Sequence, residues 1–207
     1  MKNLFSSPYK LVALVIFVPL LAFATVHWLE SSHRSLPVLN KSNNLEDLDY
    51  HFKNQHNKTK SFSDWKDKLL VVDFFFTRCS GICPKMTNNL VTVSKQYDND
   101  PEVQFLSFTV DPSSDSSNSL LAYSKNMEAT NSNWDFLTGD KITIYRLARK
   151  QFFVTATDGD GGPEDFIHSD KIILIDKQRG IRGYYSGTNE SEIKQLIKDI
   201  KILKYEK

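Results

Sequence analysis

The stretch LLVVDFFFTRCSGICPKMT, residues 69–87, joins a nearly continuous apolar run to both cysteines of the chain, Cys79 and Cys83. Residues 69–76 are too apolar for a strand with one face in water, which predicts a strand in the centre of a sheet. Pro84 suits the first position of a helix, where its missing N–H costs nothing, and this helix is predicted to run to about Tyr97. The cysteines therefore fall at a junction between a strand and a helix.

The rest of the chain continues this alternation. Apolar patterns predict three further strands: 103–110, 171–176 and 181–186. The last two are predicted to form a hairpin around Gly180. Capping side chains predict the starts of three helices: Asp115, Asp140 and Asn189, the last with Glu192 in a capping box. The order β-α-β followed by β-β-α predicts a thioredoxin-like α/β fold, with a central mixed sheet flanked by helices.

The N-terminal stretch 11–29 differs from the rest because it has no Lys, Arg, Asp or Glu. A bilayer span needs about 20 such residues, so this stretch is predicted to be one transmembrane helix. Lys2 and Lys10 precede it, which predicts residues 1–10 in the cytoplasm and everything after the helix across the membrane. The alternative is a cleaved signal peptide, since Ala22-Phe23-Ala24 has the pattern of a processing site.

Both interpretations export the remainder of the chain. Residues 30–47 are polar and are predicted to be a tether, and residues 48–207 have the size of one domain. The N-terminus does not match an Arg- and Ser-rich organelle presequence, which favours a bacterial inner membrane, with the domain facing the periplasm. The 26 basic and 25 acidic residues nearly balance without a basic cluster, so no nucleic-acid partner is expected.

The cysteine pair has structural and chemical explanations. A structural disulfide would close a loop of about five residues and restrain the unfolded chain by only about 2 kcal/mol. A second structural explanation treats both cysteines as small buried hydrophobic residues, but side chains at a strand-to-helix junction point outward. The chemical explanation starts from the helix N-terminus at Cys83 and from Arg78 beside Cys79, which both favour thiolates. Ser80 and Gly81 must bend the segment for the two sulfurs to meet.

Two thiolates that face each other suit Cu(I) or Zn²⁺, but two ligands leave either metal under-coordinated. A histidine could provide the third ligand. Four of the five histidines fall in the predicted membrane helix, in the tether or in a polar stretch that favours solvated side chains: His27, His33, His51 and His56. His168 lies between an acidic, glycine-rich loop and the strand at 171–176, which makes it the candidate, although a histidine in a loop is usually only solvated.

The segment FFFTRCSGICPKMT resembles the FxFTxCxxxCP motif of the Sco/SenC family, which are copper-delivery proteins of respiratory membranes. Later motifs follow in the family's order: SFTVDP at 107–112, LTGD at 137–140, and His168-Ser169 before KIILID and IRGYYSG. The resemblance covers roughly residues 60–190. It departs at Ser80, where many members have proline.

The resemblance implies one copper ion, Cu(I) or Cu(II), bound by Cys79, Cys83 and His168. It also implies that the protein delivers copper to the dinuclear copper centre of cytochrome c oxidase subunit II, or reduces the cysteines of that centre. A copper donor chaperone or a thiol reductase would be further partners.

The alternative function is enzymatic, a thiol-disulfide oxidoreductase in which Cys79 and Cys83 form a redox-active pair. A peroxide-reducing sensor is a weaker third explanation. His168 separates the two main functions, because disulfide exchange needs only the cysteines, whereas a three-ligand copper site also needs the imidazole.

Overall fold

The structure is a computed structural model, and it describes residues 8–32, 35–41, 45, 48–154 and 169–206. The chain divides into two compact units, Met1–Ser35 and Leu36–Lys207. The first unit contains helix α1 (Pro8–Ser32), with Pro19 inside it. Among the described residues, no helix combines the length and the apolar character that crossing a membrane requires.

The second unit is built on one mixed sheet. Its strands in the described residues are β1 Asn40–Lys41, β2 Phe52–Asn54, β3 Thr59–Lys60, β4 Leu69–Phe75, β5 Val103–Thr109, β6 Trp134–Thr138, β7 Lys171–Ile175 and β8 Gly180–Ser186. They are arranged in the order β1-β8-β7-β4-β5-β6-β2-β3. Strands β4, β5 and β6 are parallel, and β7 pairs antiparallel with the other side of β4. The central position predicted for residues 69–76 is therefore confirmed.

Helices cover both faces of this sheet: α2 Ile82–Ser94, α3 Ser117–Asn126, α4 Lys141–Arg146 and α5 Glu190–Tyr205. Val71 and Phe75 of β4 pack in one cluster with residues of α2, α3 and α5. Val72 and Phe74 pack in a second cluster with residues of α4 and of the 3₁₀ turn Phe62–Trp65. Every residue of β4 is buried, because neither face of the strand meets water.

The predicted α/β fold with a mixed sheet between helices is confirmed. The β4-α2-β5 unit and the β7-β8-α5 unit follow the predicted order, and β7 and β8 form the predicted hairpin. The sequence analysis missed β6, because Asp135 interrupts its apolar pattern. The carboxylate of Asp135 accepts hydrogen bonds from the side chains of Asn54 at 2.8 Å and Trp65 at 3.1 Å, which satisfies its burial.

The helix caps follow the prediction only in part. Asp140 and Asn189 cap α4 and α5 as predicted, since each side chain accepts a backbone N–H of the first turn. The predicted capping box is wrong, because Glu192 accepts the N–H at the end of β8 instead. Asp115 is not a cap either. Ser116 caps α3, and the carboxylate of Asp115 is bound elsewhere.

The second unit begins earlier in the chain than residue 48. Strand β1 pairs with β8, and Leu45 is fully buried. The guanidinium of Arg182 donates a hydrogen bond to the carbonyl of Leu36. The tether predicted over residues 30–47 is therefore shorter at its C-terminal end, because residues 36–41 belong to the folded unit.

A buried carboxyl group lies in the middle of β4. Asp73 is only 1% exposed, its Oδ1 accepts a hydrogen bond from Ser107 Oγ at 2.5 Å, and its Oδ2 has no partner in the part of the chain that is described. Burial raises the pKa of Asp73 to about 7, against the opposing effect of the Ser107 hydrogen bond. Folding therefore strengthens the hold of this carboxyl group on its proton.

We predict that Asp73 makes the chain less stable as the pH rises. Its pKa in the folded chain, about 7, lies above the ordinary value of 3.8. The stability contributed by the proton on Asp73 is therefore complete below the ordinary value and is lost as the pH rises to about 7. The free energy of unfolding should fall by up to about 1.4 kcal/mol per pH unit in that window. Asp73→Asn, which resembles the protonated acid, should remove this dependence and raise the urea midpoint at pH 8.

Asp135→Asn is the matched control, because the Asp135 carboxylate accepts several hydrogen bonds and the substitution should lower the urea midpoint at the same pH. Equal destabilisation by the two substitutions at pH 8 would contradict the role assigned to Asp73.

Candidate metal centre

Both cysteines lie where β4 ends and α2 begins. Cys79 is partly exposed in the turn after β4, where its N–H donates to the carbonyl of Phe76 at 3.2 Å. Cys83 is buried in the first turn of α2. Both are free thiols, and a hydrogen bond joins their side chains. The predicted bend between them is confirmed, because α2 begins only at Ile82 and leaves Cys79 outside the helix.

Helix α2 starts two residues before Pro84, which was predicted to open it. Pro84 is tolerated in the first turn because the N–H groups of that turn have no partner within the helix. The earlier start has a chemical consequence. It brings the N–H groups of Ile82 and Cys83 into reach of the Cys79 sulfur.

These N–H groups determine the acidity of Cys79. Partial burial opposes its ionisation, but this effect is outweighed by hydrogen bonds from the N–H and the thiol of Cys83 and from the N–H groups of Gly81 and Ile82. Together they hold the pKa of Cys79 below its ordinary value of 9.0. The unpaired N–H groups at a helix N-terminus therefore stabilise the thiolate of the cysteine outside the helix.

Cys83 behaves differently from the prediction. Burial raises its pKa to about 12, and the hydrogen bond with Cys79 and the charges of Cys79 and Asp73 act in the same direction. The prediction that the helix N-terminus favours a thiolate at Cys83 is therefore wrong. The cause is burial, because Cys83 is only 3% exposed and loss of water disfavours its thiolate.

Arg78, the second group expected to favour a thiolate, binds the loop after β5. Its Nη2 donates to Asp111 Oδ2 at 2.7 Å and to Ser114 Oγ at 2.6 Å. Asp111 is the predicted turn residue, since its carbonyl accepts the N–H groups of Ser114 and Asp115. Burial opposes the ionisation of Asp111, but hydrogen bonds from Arg78 and from neighbouring serines hold its pKa below the ordinary value.

Helix α2 itself is held against the turn that joins β8 to α5. Asn89 Nδ2 donates to the carbonyl of Gly187 at 2.7 Å. Gly187 lies so close to Met86 that a Cβ atom there would be 2.4 Å from the Met86 Cγ. The close approach favours glycine at this position, and it packs α2 tightly against the turn.

A small cavity of about 30 Å³ opens beside the two cysteines, lined also by aromatic side chains at the end of β4, by Val110 and by Ser169. This volume exceeds what one water requires, and it is far below that of a site for an organic ligand. Ser169 directly follows His168, which itself lies outside the described residues. Within those residues, no group of three or more His, Cys, Asp or Glu side chains is placed to hold a metal ion.

The structure thus brings together two of the three predicted ligands, Cys79 and Cys83, with the residue that follows the third. Sequence reasoning missed the role of Asp115, which accepts the N–H of Thr77, two residues before Cys79, at 3.0 Å. A signal was available, because Ser116 is itself a good N-cap and leaves Asp115 free for another role.

We predict that Cys79 is alkylated at least about tenfold faster than Cys83 in the reduced chain at pH 7.5, because the thiolate is the reactive form. The pKa is lowered at the partly exposed cysteine and raised to about 12 at the buried one. Limited iodoacetamide labelling followed by peptide mass spectrometry would measure both rates. In Cys83→Ser, which keeps the backbone N–H, Cys79 should remain reactive. Preferential labelling of Cys83 would contradict the assignment.

The fold has counterparts among solved structures. A SCO1/SenC family lipoprotein from Bacillus anthracis has a TM-score of 0.65 and 32% identity, covering 75% of this chain and 92% of that chain. BsSco has a TM-score of 0.66 and 28% identity, covering 84% and 99%. ScoI of Arabidopsis thaliana, with copper bound, has a TM-score of 0.58 and covers 74% and 96%, but at 22% identity it shows the fold alone.

The sequence comparisons agree with the structural ones. The SCO1 protein homolog of Bacillus subtilis is 30% identical over 160 residues, which is 76% of this chain and 82% of that protein. The sequence profile of the SCO1/SenC family matches residues 40–204, from β1 into α5. The chain therefore belongs to the SCO1/SenC family.

Proposed function

We propose that the chain carries one copper ion, Cu(I) or Cu(II), on Cys79, Cys83 and His168, and delivers it to the dinuclear centre of cytochrome c oxidase subunit II. The observation that carries this proposal is the cavity that both cysteines share with Ser169, the neighbour of His168. Thiolates and imidazole are ligands that suit copper. Cys79, with its lowered pKa, supplies one thiolate readily, whereas Cys83 must lose its proton when the metal binds.

The relatives support this proposal. BsSco is described as a member of the Sco family of cytochrome c oxidase assembly proteins. ScoI of Arabidopsis thaliana has copper bound in the same fold. The recipient named here, subunit II, follows from the family resemblance, and a copper donor chaperone is the corresponding partner for loading.

The second candidate is a thiol-disulfide reductase that acts on oxidised cysteines, including those of the copper centre. It is favoured by the contrast between the partly exposed Cys79, with a lowered pKa, and the buried Cys83, with a raised pKa. The Cys79 thiolate would attack a target disulfide, and the departing sulfur would take up a proton. Cys83 would then lose its proton and attack the mixed disulfide, which leaves a Cys79–Cys83 disulfide and a reduced target. A thiol reductase must return two electrons for the next cycle.

We predict that His168→Ala separates these functions. Loss of a ligand should lower the Cu(II) affinity of the reduced full chain at least 10- to 100-fold, which is the range that even outer-shell changes cause. The alkylation rate of Cys79 should stay within a few fold, because its N–H donors, Gly81, Ile82 and Cys83, lie at the start of α2 and not near residue 168 in the sequence. Competition titration under anaerobic conditions measures the affinity, and His56→Ala, at an exposed histidine, is the matched control.

Two results would redirect the proposal. Copper bound equally well by the oxidised chain, or by Cys79→Ser with Cys83→Ser, would remove the cysteines as ligands, since a disulfide lacks comparable donor sulfurs. Unchanged copper affinity in His168→Ala, together with lost disulfide exchange, would favour the reductase.

We also propose that residues 11–29 attach the chain to a bacterial inner membrane, with residues 1–10 in the cytoplasm and the copper-binding domain in the periplasm. Residues 8–32 form one helix, and the described side chains at 12–26 are all exposed. Exposed apolar surface of this extent calls for a covering phase such as lipid. The Bacillus anthracis neighbour is described as a lipoprotein, which is consistent with a family member at a membrane.

The full chain should stay in the membrane pellet after washing with alkaline carbonate. A variant with Val15→Arg and Leu20→Arg should be released, because two charges in the middle of the stretch oppose insertion. N-terminal sequencing of the mature protein distinguishes the alternative. A chain that begins near Thr25 and washes free would mean that the stretch is a signal peptide.

A further inference from the structure

We propose that Asp115 is a positioning residue that holds Cys79 in place for the metal. This inference rests on the proposed function, because it assumes that Cys79 and Cys83 are ligands. Asp115 is only 1% exposed, and it lies after β5, outside the segment that contains the cysteines. Its carboxylate joins that loop to the turn before Cys79.

Three hydrogen bonds make this connection. Asp115 Oδ2 accepts the N–H of Thr77 at 3.0 Å and the hydroxyl of Thr109 at 2.5 Å. Asp115 Oδ1 accepts the hydroxyl of Thr77 at 2.5 Å. Because Thr77 donates both its backbone and its side-chain group to one carboxylate, both its position and its orientation are fixed.

Thr77 lies inside the turn that presents Cys79. The N–H of Cys79 closes this turn by donating to the carbonyl of Phe76, so the position of Thr77 determines that of the Cys79 backbone. The other end of the connection is rigid. Thr109 is the last residue of β5 and pairs with Phe75 of β4, and the N–H of Val110 donates to the carbonyl of Phe75 at 2.8 Å.

The loop that contains Asp115 is also held internally. The carbonyl of Asp111 accepts the N–H groups of Ser114 at 3.0 Å and Asp115 at 2.9 Å. The exposed ion pair between Arg78 and Asp111 adds a second contact to the same turn, although exposed pairs contribute little. The buried bonds of Asp115 are therefore the principal link between the two loops.

The placement of Asp115 has no other evident purpose. Ser116 already caps α3, and a buried carboxylate is costly unless its oxygens are hydrogen-bonded. Cys83 is held by α2 and the core, so the distance between the two sulfurs depends on the Cys79 turn. Asp115 thus sets the geometry on which both metal affinity and the stability of a Cys79–Cys83 disulfide depend.

Thr77→Val and Ser94→Ala test this assignment as a pair in the reduced full chain. Each substitution removes one hydroxyl group: that of Thr77 donates to Asp115, and that of Ser94 donates to the carbonyl of Val91 at 3.1 Å and to Asn131 Oδ1 at 3.2 Å. Ser94 is fully buried at the C-terminal end of α2, outside the connection to Asp115, so Ser94→Ala should cause the larger fall in melting temperature. Only Thr77 belongs to the Cys79 turn.

A positioning role predicts the opposite order at the site. Thr77→Val should lower Cu(II) affinity about tenfold, shift the Cu(II)–thiolate absorption, and change the equilibrium constant of the cysteine pair with glutathione about tenfold. Ser94→Ala should change these quantities less than about threefold. Asp115→Asn should act like Thr77→Val, because an amide offers one acceptor atom where the carboxylate offers two.

Site effects that follow the stability losses, with Ser94→Ala the more severe, would overturn the assignment, as would an unaltered site in Thr77→Val. Failure of the proposed function gives a different result. If the unsubstituted chain binds no copper, copper carriage is wrong, while the glutathione equilibrium still tests whether Asp115 positions Cys79.

Discussion

The burial of β4 on both faces is the constraint on which the rest of the structure depends. Its register with β5 is continuous from Leu69 opposite Val103 to Phe75 opposite Thr109. A shift by one residue would exchange the side chains of the two cores, so the strand has one permitted position. The point at which the chain leaves the sheet is fixed with it. Three features that surround the cysteines lie at that end of the sheet. They are the turn after β4, the start of α2 and the loop after β5.

The pKa values of the two cysteine thiols are shifted in opposite directions because the thiols differ in burial. Cys79 lies outside α2 and receives N–H groups that the helix cannot use internally, which lowers its pKa. Cys83 lies in the first turn of α2, where burial raises its pKa to about 12. The proposed metal carriage and the alternative disulfide exchange would both use this asymmetry, so the geometry of the pair alone does not choose between them. The imidazole of His168, the proposed third ligand, is the group that distinguishes the two functions.

The sequence predicted those features that a local pattern determines. The apolar run predicted β4, and polar side chains predicted the caps at Asp140 and Asn189. Features that depend on distant partners were missed. Asp135 interrupts β6 because its hydrogen-bond donors are far away in the chain, and Asp115 was read as a cap because Thr77 is 38 residues away. The pKa of Cys83 was predicted in the wrong direction, since burial is decided by the whole fold. The third ligand, His168, stays a prediction.

The contact between Gly187 and Met86 has a mechanical consequence. The turn before α5 leaves no room for even one methyl group beside the Met86 side chain, so α2 is packed tightly on this side. If the proposed metal binds or a Cys79–Cys83 disulfide forms, we expect the change in the distance between the two sulfurs to be taken up by the Cys79 turn. That turn is the exposed one. A molecule that approaches the pair from solvent would therefore meet the partly exposed Cys79 before the buried Cys83.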